Sequence, residues 1–124
     1  MKVLIVDDDP LIGHLYGHYL RKQGCEVLRA DDGLQGLQYL SDHPDITKIL
    51  LDAYMPKMDS FGFLKHIQND PLLSVMNLEI FFITVWDIEH IKSRLKMEGV
   101  DQSKVKQFYQ KPVDMKELLI ALGG

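Results

Sequence analysis

Ile49-Leu50-Leu51-Asp52-Ala53-Tyr54-Met55-Pro56 is a short apolar run that ends in a carboxylate and then a proline-marked turn. Consecutive apolar positions fit a strand covered on both faces, as in a parallel sheet, and Pro56 lies past its end because proline lacks the amide a ladder needs. Asp52 then stands at the carboxyl end of a strand, where open α/β sheets place their ligands. An aspartate in that place is also a common turn former, so the flanking sequence must decide its role.

Upstream, Val3-Leu4-Ile5-Val6 is β-branched and wholly apolar and reads as a second buried strand, ended by Asp7-Asp8-Asp9-Pro10. Asp9 suits a helix N-cap and Pro10 the first helical position. That accounts for Asp9 and leaves Asp7 and Asp8 without a structural role. The helix carries Leu11, Ile12, Leu15 and Tyr19 on its apolar face, with His14, Gly17, His18, Arg21 and Lys22 on or beside the polar flank, and Gly24 ends it. His14 and His18 have the spacing of metal ligands but lack an intervening glutamate and a third ligand, so no metal site is assigned there. Cys25 to Ala30 alternates in polarity like a strand at or near a sheet edge, Asp31-Asp32-Gly33 is a turn, and Leu34, Leu37 and Leu40 mark a second helix closing near His43-Pro44.

Downstream, Asp59 or Ser60 caps a helix that turns Phe61, Leu64 and Ile67 inward and ends by Asp70-Pro71. Residues 72–77 carry no assignable pattern. Glu79 to Val85 is another buried strand with the Thr84 hydroxyl near its exit. Asp87 caps a fourth helix with Ile88, Ile91 and Leu95 toward the core and Lys92, Arg94 and Lys96 toward water, ended by Gly99. Val105 to Gln110 is a fifth strand stopping at Lys111-Pro112, and Asp114 with Glu117 forms a capping box for a last helix through Leu118, Leu119 and Leu122.

Strand and helix thus alternate five times, which calls for one α/β domain over residues 1–124 with a parallel sheet between two helical layers. All strand exits of such a sheet lie along one edge. Asp7, Asp8, Asp52, Thr84 and Lys111 are each at an exit and converge in one crevice. Like charges 4 Å apart repel by about 4 kcal/mol at an effective dielectric of 20, so the three carboxylates need cations. Lys111 supplies one charge, and a hard divalent ion such as Mg²⁺, which prefers few protein oxygens and substrate phosphate, would supply two. The chemistry of the set is metal-assisted phosphoryl transfer, with a carboxylate as acceptor.

The composition sets bounds on this reading. A formal charge of −4 gives no electrostatic reason for nucleic acid as a partner. The single cysteine, Cys25, excludes an internal disulfide framework, and no apolar stretch approaches a membrane span, so a cytoplasmic location is expected.

Val6-Asp7-Asp8-Asp9-Pro10, Leu50-Leu51-Asp52 with Met55-Pro56, Thr84 and Lys111-Pro112, in this order and at these strand ends, resemble the response-regulator receiver domain of two-component signalling. The resemblance covers nearly the whole chain. It implies a flavodoxin-like sheet in the order 2-1-3-4-5. It implies a phosphoacceptor rather than an enzyme, with at most self-catalysed, Mg²⁺-dependent phosphotransfer and self-dephosphorylation. Asp52 would take the phosphoryl group from a sensor histidine kinase or a histidine phosphotransfer protein. Asp8, Asp52 and the Tyr54 carbonyl would bind Mg²⁺ (or Mn²⁺) directly, with Asp7 acting largely through water. Lys111 would pair with phosphoryl oxygens, and Thr84 and Phe108 would form the switch. The output surface would be the face of the fourth helix, fifth strand and fifth helix, carrying Lys92, Arg94, Lys96 and Lys106. That face would meet a downstream protein, an effector domain outside this sequence, or a second copy in a dimer. Tyr54 and Trp86, two residues after Asp52 and Thr84, are expected to slow attack of water on the acyl phosphate.

Three features depart from the family pattern: Ser60 replaces the usual glycine, Val85 replaces the small residue that commonly follows the threonine and would crowd access to the phosphoryl group, and the interval from Thr84 to Lys111 is long, with the excess near Asp101-Gln102-Ser103-Lys104. Two other readings use parts of the same sequence. A haloacid-dehalogenase-type phosphatase would employ Asp7 as nucleophile, but Pro10-Leu11 continues that motif poorly. A flavodoxin-like FMN carrier would need a glycine- and hydroxyl-rich first loop where three acids stand.

Overall fold

The computed structural model describes residues 1–123. β1 (Lys2–Val6), β2 (Glu26–Ala30), β3 (Lys48–Leu51), β4 (Glu79–Thr84) and β5 (Val105–Gln110) form one sheet in the order β2-β1-β3-β4-β5, every pair parallel. α1 (Pro10–Lys22), α2 (Gly33–Asp42), α3 (Ser60–Asn69), α4 (Ile88–Met97) and α5 (Met115–Gly123) connect and follow the strands. The pleat sends alternate residues to opposite cores. Leu4 and Val6 join Leu40, Phe61, Phe63 and Ile91 in the larger core under α2, α3 and α4, while Val3 and Ile5 join Tyr16, Leu20 and Leu118 under α1 and α5. The three-layer architecture and strand order are those expected.

Strand ends are aligned by register. Val6 pairs with Ala30 and Leu51, Leu51 with Phe82, and Phe82 with Phe108. Consequently the residues just past Val6, Leu51 and Phe108 all emerge at one edge. Caps act as read for three helices: Asp9 accepts from the Leu11 amide, Asp59 from Phe61 and Gly62, and Asp87 from His90. Between α4 and β5 the long segment is pinned to its neighbours, with the Asp101 amide donating to Gln68 at 2.7 Å and Lys104 Nζ donating to the Met76 carbonyl at 2.7 Å.

α1 is rotated relative to the sequence expectation. Leu11, Leu15 and Tyr19 are 75, 46 and 40% exposed, and the buried positions are Gly13, Tyr16, Gly17 and Leu20. The cause is the pair of glycines, which let the helix backbone settle onto β2. A Cβ at Gly13 would stand 2.1 Å from Cδ of Arg29, whose stem runs beneath the helix. In α2, likewise, Leu34 is 50% exposed and Gly33 and Gly36 face the core. A register shift between Ile80 and Phe81 inserts one extra residue of β5, so that Phe81 pairs with Gln107. Phe108 thereby lies on the larger core beside Phe82.

Candidate functional site

β1, β3, β4 and β5 deliver Asp7, Asp52, Thr84 and Lys111 to the same edge because each is the first residue after its strand or the last within it. Asp7 and Thr84 are buried, Asp52 is half-buried and Asp8 is exposed. Each of the three aspartates offers an oxygen within 4.8 Å of the others', and among the described residues this is the one such acidic group. Asp7 is held at both oxygens: Oδ1 accepts from the Asp9 amide at 2.9 Å and Oδ2 pairs with Lys111 Nζ at 2.9 Å. Lys111 is itself fixed through its amide, which donates to the Thr84 carbonyl at 2.7 Å. Ala53 donates its amide to Asp52 Oδ1 at 2.9 Å, and the Thr84 hydroxyl oxygen accepts from the Trp86 amide at 3.2 Å.

Ile12, Tyr16, Leu50 and Ile83 floor the site with apolar surface. Burial pushes the Asp52 carboxyl up to about 6, and the negative Asp7 adds to this against the pull of Lys111 and the Ala53 amide. Burial of Lys111 opposes its charge, but the hydrogen bond and charge of Asp7, with the charge of Asp52, raise its pKa above the usual lysine value. Lys111 is thus paired directly with Asp7 and offsets the charge of Asp52 only in part, which leaves the three carboxylates with an excess of negative charge. Hard oxygen donors with an excess of negative charge and one exposed side fit a hydrated divalent cation such as Mg²⁺.

Four of the expected participants meet here: Asp7, Asp8, Asp52 and Lys111. Thr84 is adjacent with its hydroxyl occupied by a backbone amide. Phe108 is partly buried, stacked on Phe82 at 5.3 Å and 7°, with Lys92 Nζ 5.2 Å above its ring.

Arg94, expected to face water with Lys92 and Lys96, is only partly exposed, and its guanidinium lies against aromatic rings. It lies 4.2 Å over the Phe61 ring and 5.4 Å over the Tyr54 ring, and it pairs with Glu98 at 2.6 Å. The Tyr54 and Phe61 rings, Glu98 at the end of α4 and Asp59 at the start of α3 draw the guanidinium toward α3. His90, given no role by the sequence pattern, stands with Nε2 2.7 Å from the Tyr54 hydroxyl and its ring stacked on Trp86 at 5.5 Å. Only the fold brings residues 54, 86 and 90 together, and nothing in their spacing signals it. Ser60, at the family's glycine position, is fully buried with no partner for its hydroxyl, although its amide donates to the Ala53 carbonyl at 3.0 Å.

A parallel three-layer fold whose strand exits gather acids, a hydroxyl and a lysine defines a phosphoacceptor module of the signalling type. The chain belongs to the response regulator receiver domain family, which matches it over residues 3–123. It is 33% identical over 107 residues to the transcriptional regulatory protein YrkP of Bacillus subtilis, covering 86% of this chain and 43% of YrkP, so it spans less than half of that relative. Chemotaxis protein CheY4 of Vibrio cholerae superposes with a TM-score of 0.80 at 28% identity, over 98% of this chain and 94% of that one. A CheX–CheY–BeF3–Mg²⁺ complex from Borrelia burgdorferi contains a chain matching at TM-score 0.79 and 26% identity, over 98% and 86%. The protein is a receiver domain of the CheY-like response-regulator type, a signalling domain of two-component systems. The phosphatase and flavin-carrier readings find no support. No helix among the described residues is long and apolar enough to cross a membrane.

Proposed function

We propose that Asp52 is the residue that accepts the phosphoryl group, from a phosphohistidine on a sensor kinase or phosphotransfer protein in the cytoplasm. The observation that carries this is the convergence of Asp7, Asp8 and Asp52 within 4.8 Å, with Lys111 paired to the most buried of them. A carboxylate oxygen of Asp52 attacks phosphorus in line, the P–O bond forms as the P–N bond breaks, and the imidazole leaves and takes up a proton. Asp8, Asp52 and the Tyr54 carbonyl are the groups to hold Mg²⁺, with Asp7 anchoring Lys111 and reaching the ion through water. When bound, a hard divalent cation offsets charge on the equatorial phosphoryl oxygens. Its presence with BeF3 in the Borrelia complex supports this assignment.

Lys111 then exchanges Asp7 for a phosphoryl oxygen, and the Thr84 hydroxyl leaves the Trp86 amide to donate to another. Movement of Thr84 vacates space beside Phe82, which Phe108 enters, and the α4-β5-α5 face with Lys92, Lys96 and Lys106 is reshaped for a downstream protein, an effector domain or a second copy. Tyr54 and Trp86, whose rings are 4.9 Å apart, bridge the two loops carrying Asp52 and Thr84 and slow the approach of water, so self-dephosphorylation is slow. Incubation with acetyl phosphate and Mg²⁺ followed by mass spectrometry tests the assignment. Label on Asp52 that disappears in Asp52→Asn is expected; label on Asp7 would refute it.

A further inference from the structure

We propose that His90 and Arg94 are positioning residues that latch the first turns of α4 to the Tyr54 ring, and that this latch sets the lifetime of phosphate on Asp52. The inference rests on the reading of Asp52 as the acceptor. Its basis is a set of contacts that no pair in the sequence suggests. His90 Nε2 lies at hydrogen-bond distance, 2.7 Å, from the Tyr54 hydroxyl, and its ring stacks on Trp86 at 5.5 Å and 28°. One helical turn on, Arg94 covers the rings of Tyr54 and Phe61. Arg94 is in turn braced by Glu98 at 2.6 Å and Asp59 at 3.7 Å, and Glu98 by Lys65 of α3 at 2.9 Å.

Tyr54 is therefore held by His90, by Arg94 and by the tilted rings of Phe61 at 5.6 Å and Trp86 at 4.9 Å. Trp86 is 48% exposed and has His90 and Tyr54 as its ring partners, so the wall between the two loops stays closed only while α4 holds His90 in place. Displacement of α4 pulls the hydroxyl partner off Tyr54 and the stacking partner off Trp86 in one movement. Because Tyr54 is also two residues from Asp52, occupancy of the site reaches α4 through the Tyr54 ring as well as through Thr84 and Phe108. A partner that shifts α4 would then shorten the lifetime of the signal it reads.

The test uses the full chain as wild type, His90→Ala, His90→Gln, Tyr54→Phe and the Tyr54→Phe/His90→Ala double variant. Each is loaded with acetyl phosphate and Mg²⁺, freed of donor, and followed for loss of phosphate. Emission of Trp86, the chain's single tryptophan, is recorded in the metal-free, unphosphorylated protein. His90→Ala is expected to lose phosphate about five- to tenfold faster, equivalent to about 1–1.4 kcal/mol at 1.36 kcal/mol per decade, and to shift Trp86 emission to the red. His90→Gln, which still meets the Tyr54 hydroxyl, recovers most of the lifetime, and the double variant is no faster than its faster parent. Unchanged decay in His90→Ala overturns the proposal, as does additive acceleration in the double variant. Absence of label on wild-type Asp52 instead removes the acceptor assignment on which the proposal rests.

Discussion

Ionised Asp52 is a burden on the folded chain. Its carboxyl titrates near 6 in the fold against 3.8 for the free group, so between these values the folded state holds a proton that the unfolded state has lost. Stability attributable to this residue therefore falls as pH rises from about 4 to about 6, and above that the full cost applies. In EDTA at pH 7.5, Asp52→Asn should unfold later in urea than the parent, by roughly 2 kcal/mol after screening of this half-buried group, and the gain should shrink toward pH 4. An equal or lower midpoint at pH 7.5 would contradict it. Ser60 makes a second prediction at the same scale. A fully buried hydroxyl without a partner forfeits its hydration and gains nothing, so Ser60→Ala should leave stability unchanged or raise it by up to about 1 kcal/mol in the same measurement.

The elements were legible where periodicity and caps agreed, and less so where a glycine replaced a side chain. The strands follow from apolar runs at β1, β3 and β4 and from mixed or alternating polarity at β2 and β5, and the helices from apolar periodicity with Asp9, Asp59, Asp87 and Asp114 at their starts. Which face of α1 is buried was not legible, because Leu11 and Leu15 are more hydrophobic than Gly13 and Gly17 while close backbone approach favours the glycines. The β5 bulge was equally hidden, since one extra residue in an edge strand leaves no compositional mark. The site itself was readable because parallel strands collect their exits whatever their sequence distance. The Tyr54–His90–Arg94 contacts were not, because they depend on how α4 is rolled against α3.

Element geometry also yields predictions in the loop after β3. Lys57 has φ of +65°, a left-handed conformation that costs a residue with a Cβ about 1–2 kcal/mol, partly offset by the extra chain entropy of glycine. Lys57→Gly should thus raise the urea midpoint by up to about 1 kcal/mol. Gly33 opens α2 against that same loop, its amide donating to the Met58 carbonyl at 2.9 Å, and a Cβ there would meet this oxygen at 2.8 Å. Because the obstacle is backbone, Gly33→Ala should lower stability by about 1–3 kcal/mol.

On the scale of the whole molecule, a cation at the strand-exit edge and the fold stabilise each other. The carboxylates come together only in the folded chain, through β1 and β3, so a divalent ion binds the native state and stabilises it by mass action. With free Mg²⁺ at a hundred times its dissociation constant the gain is about 2.7 kcal/mol, which for a domain of this size is a rise in Tm of about 10 °C. Protonation of Asp52 competes with the ion. The Mg²⁺-dependent rise in Tm should therefore be largest above pH 7, fall as pH drops through about 6, and be small near pH 4.5. Asp8→Asn should reduce it at every pH, since Asp8 contributes an oxygen but little to the fold, being exposed. Thermal melts at fixed ionic strength, with Ca²⁺-free Mg²⁺ against EDTA, separate this from general screening of the chain's charge of −4, which would persist in Asp8→Asn and would not follow the titration of Asp52. A rise in Tm that is equal in the parent and in Asp8→Asn, or that is flat from pH 4.5 to 7.5, would show that the acidic edge does not hold the ion.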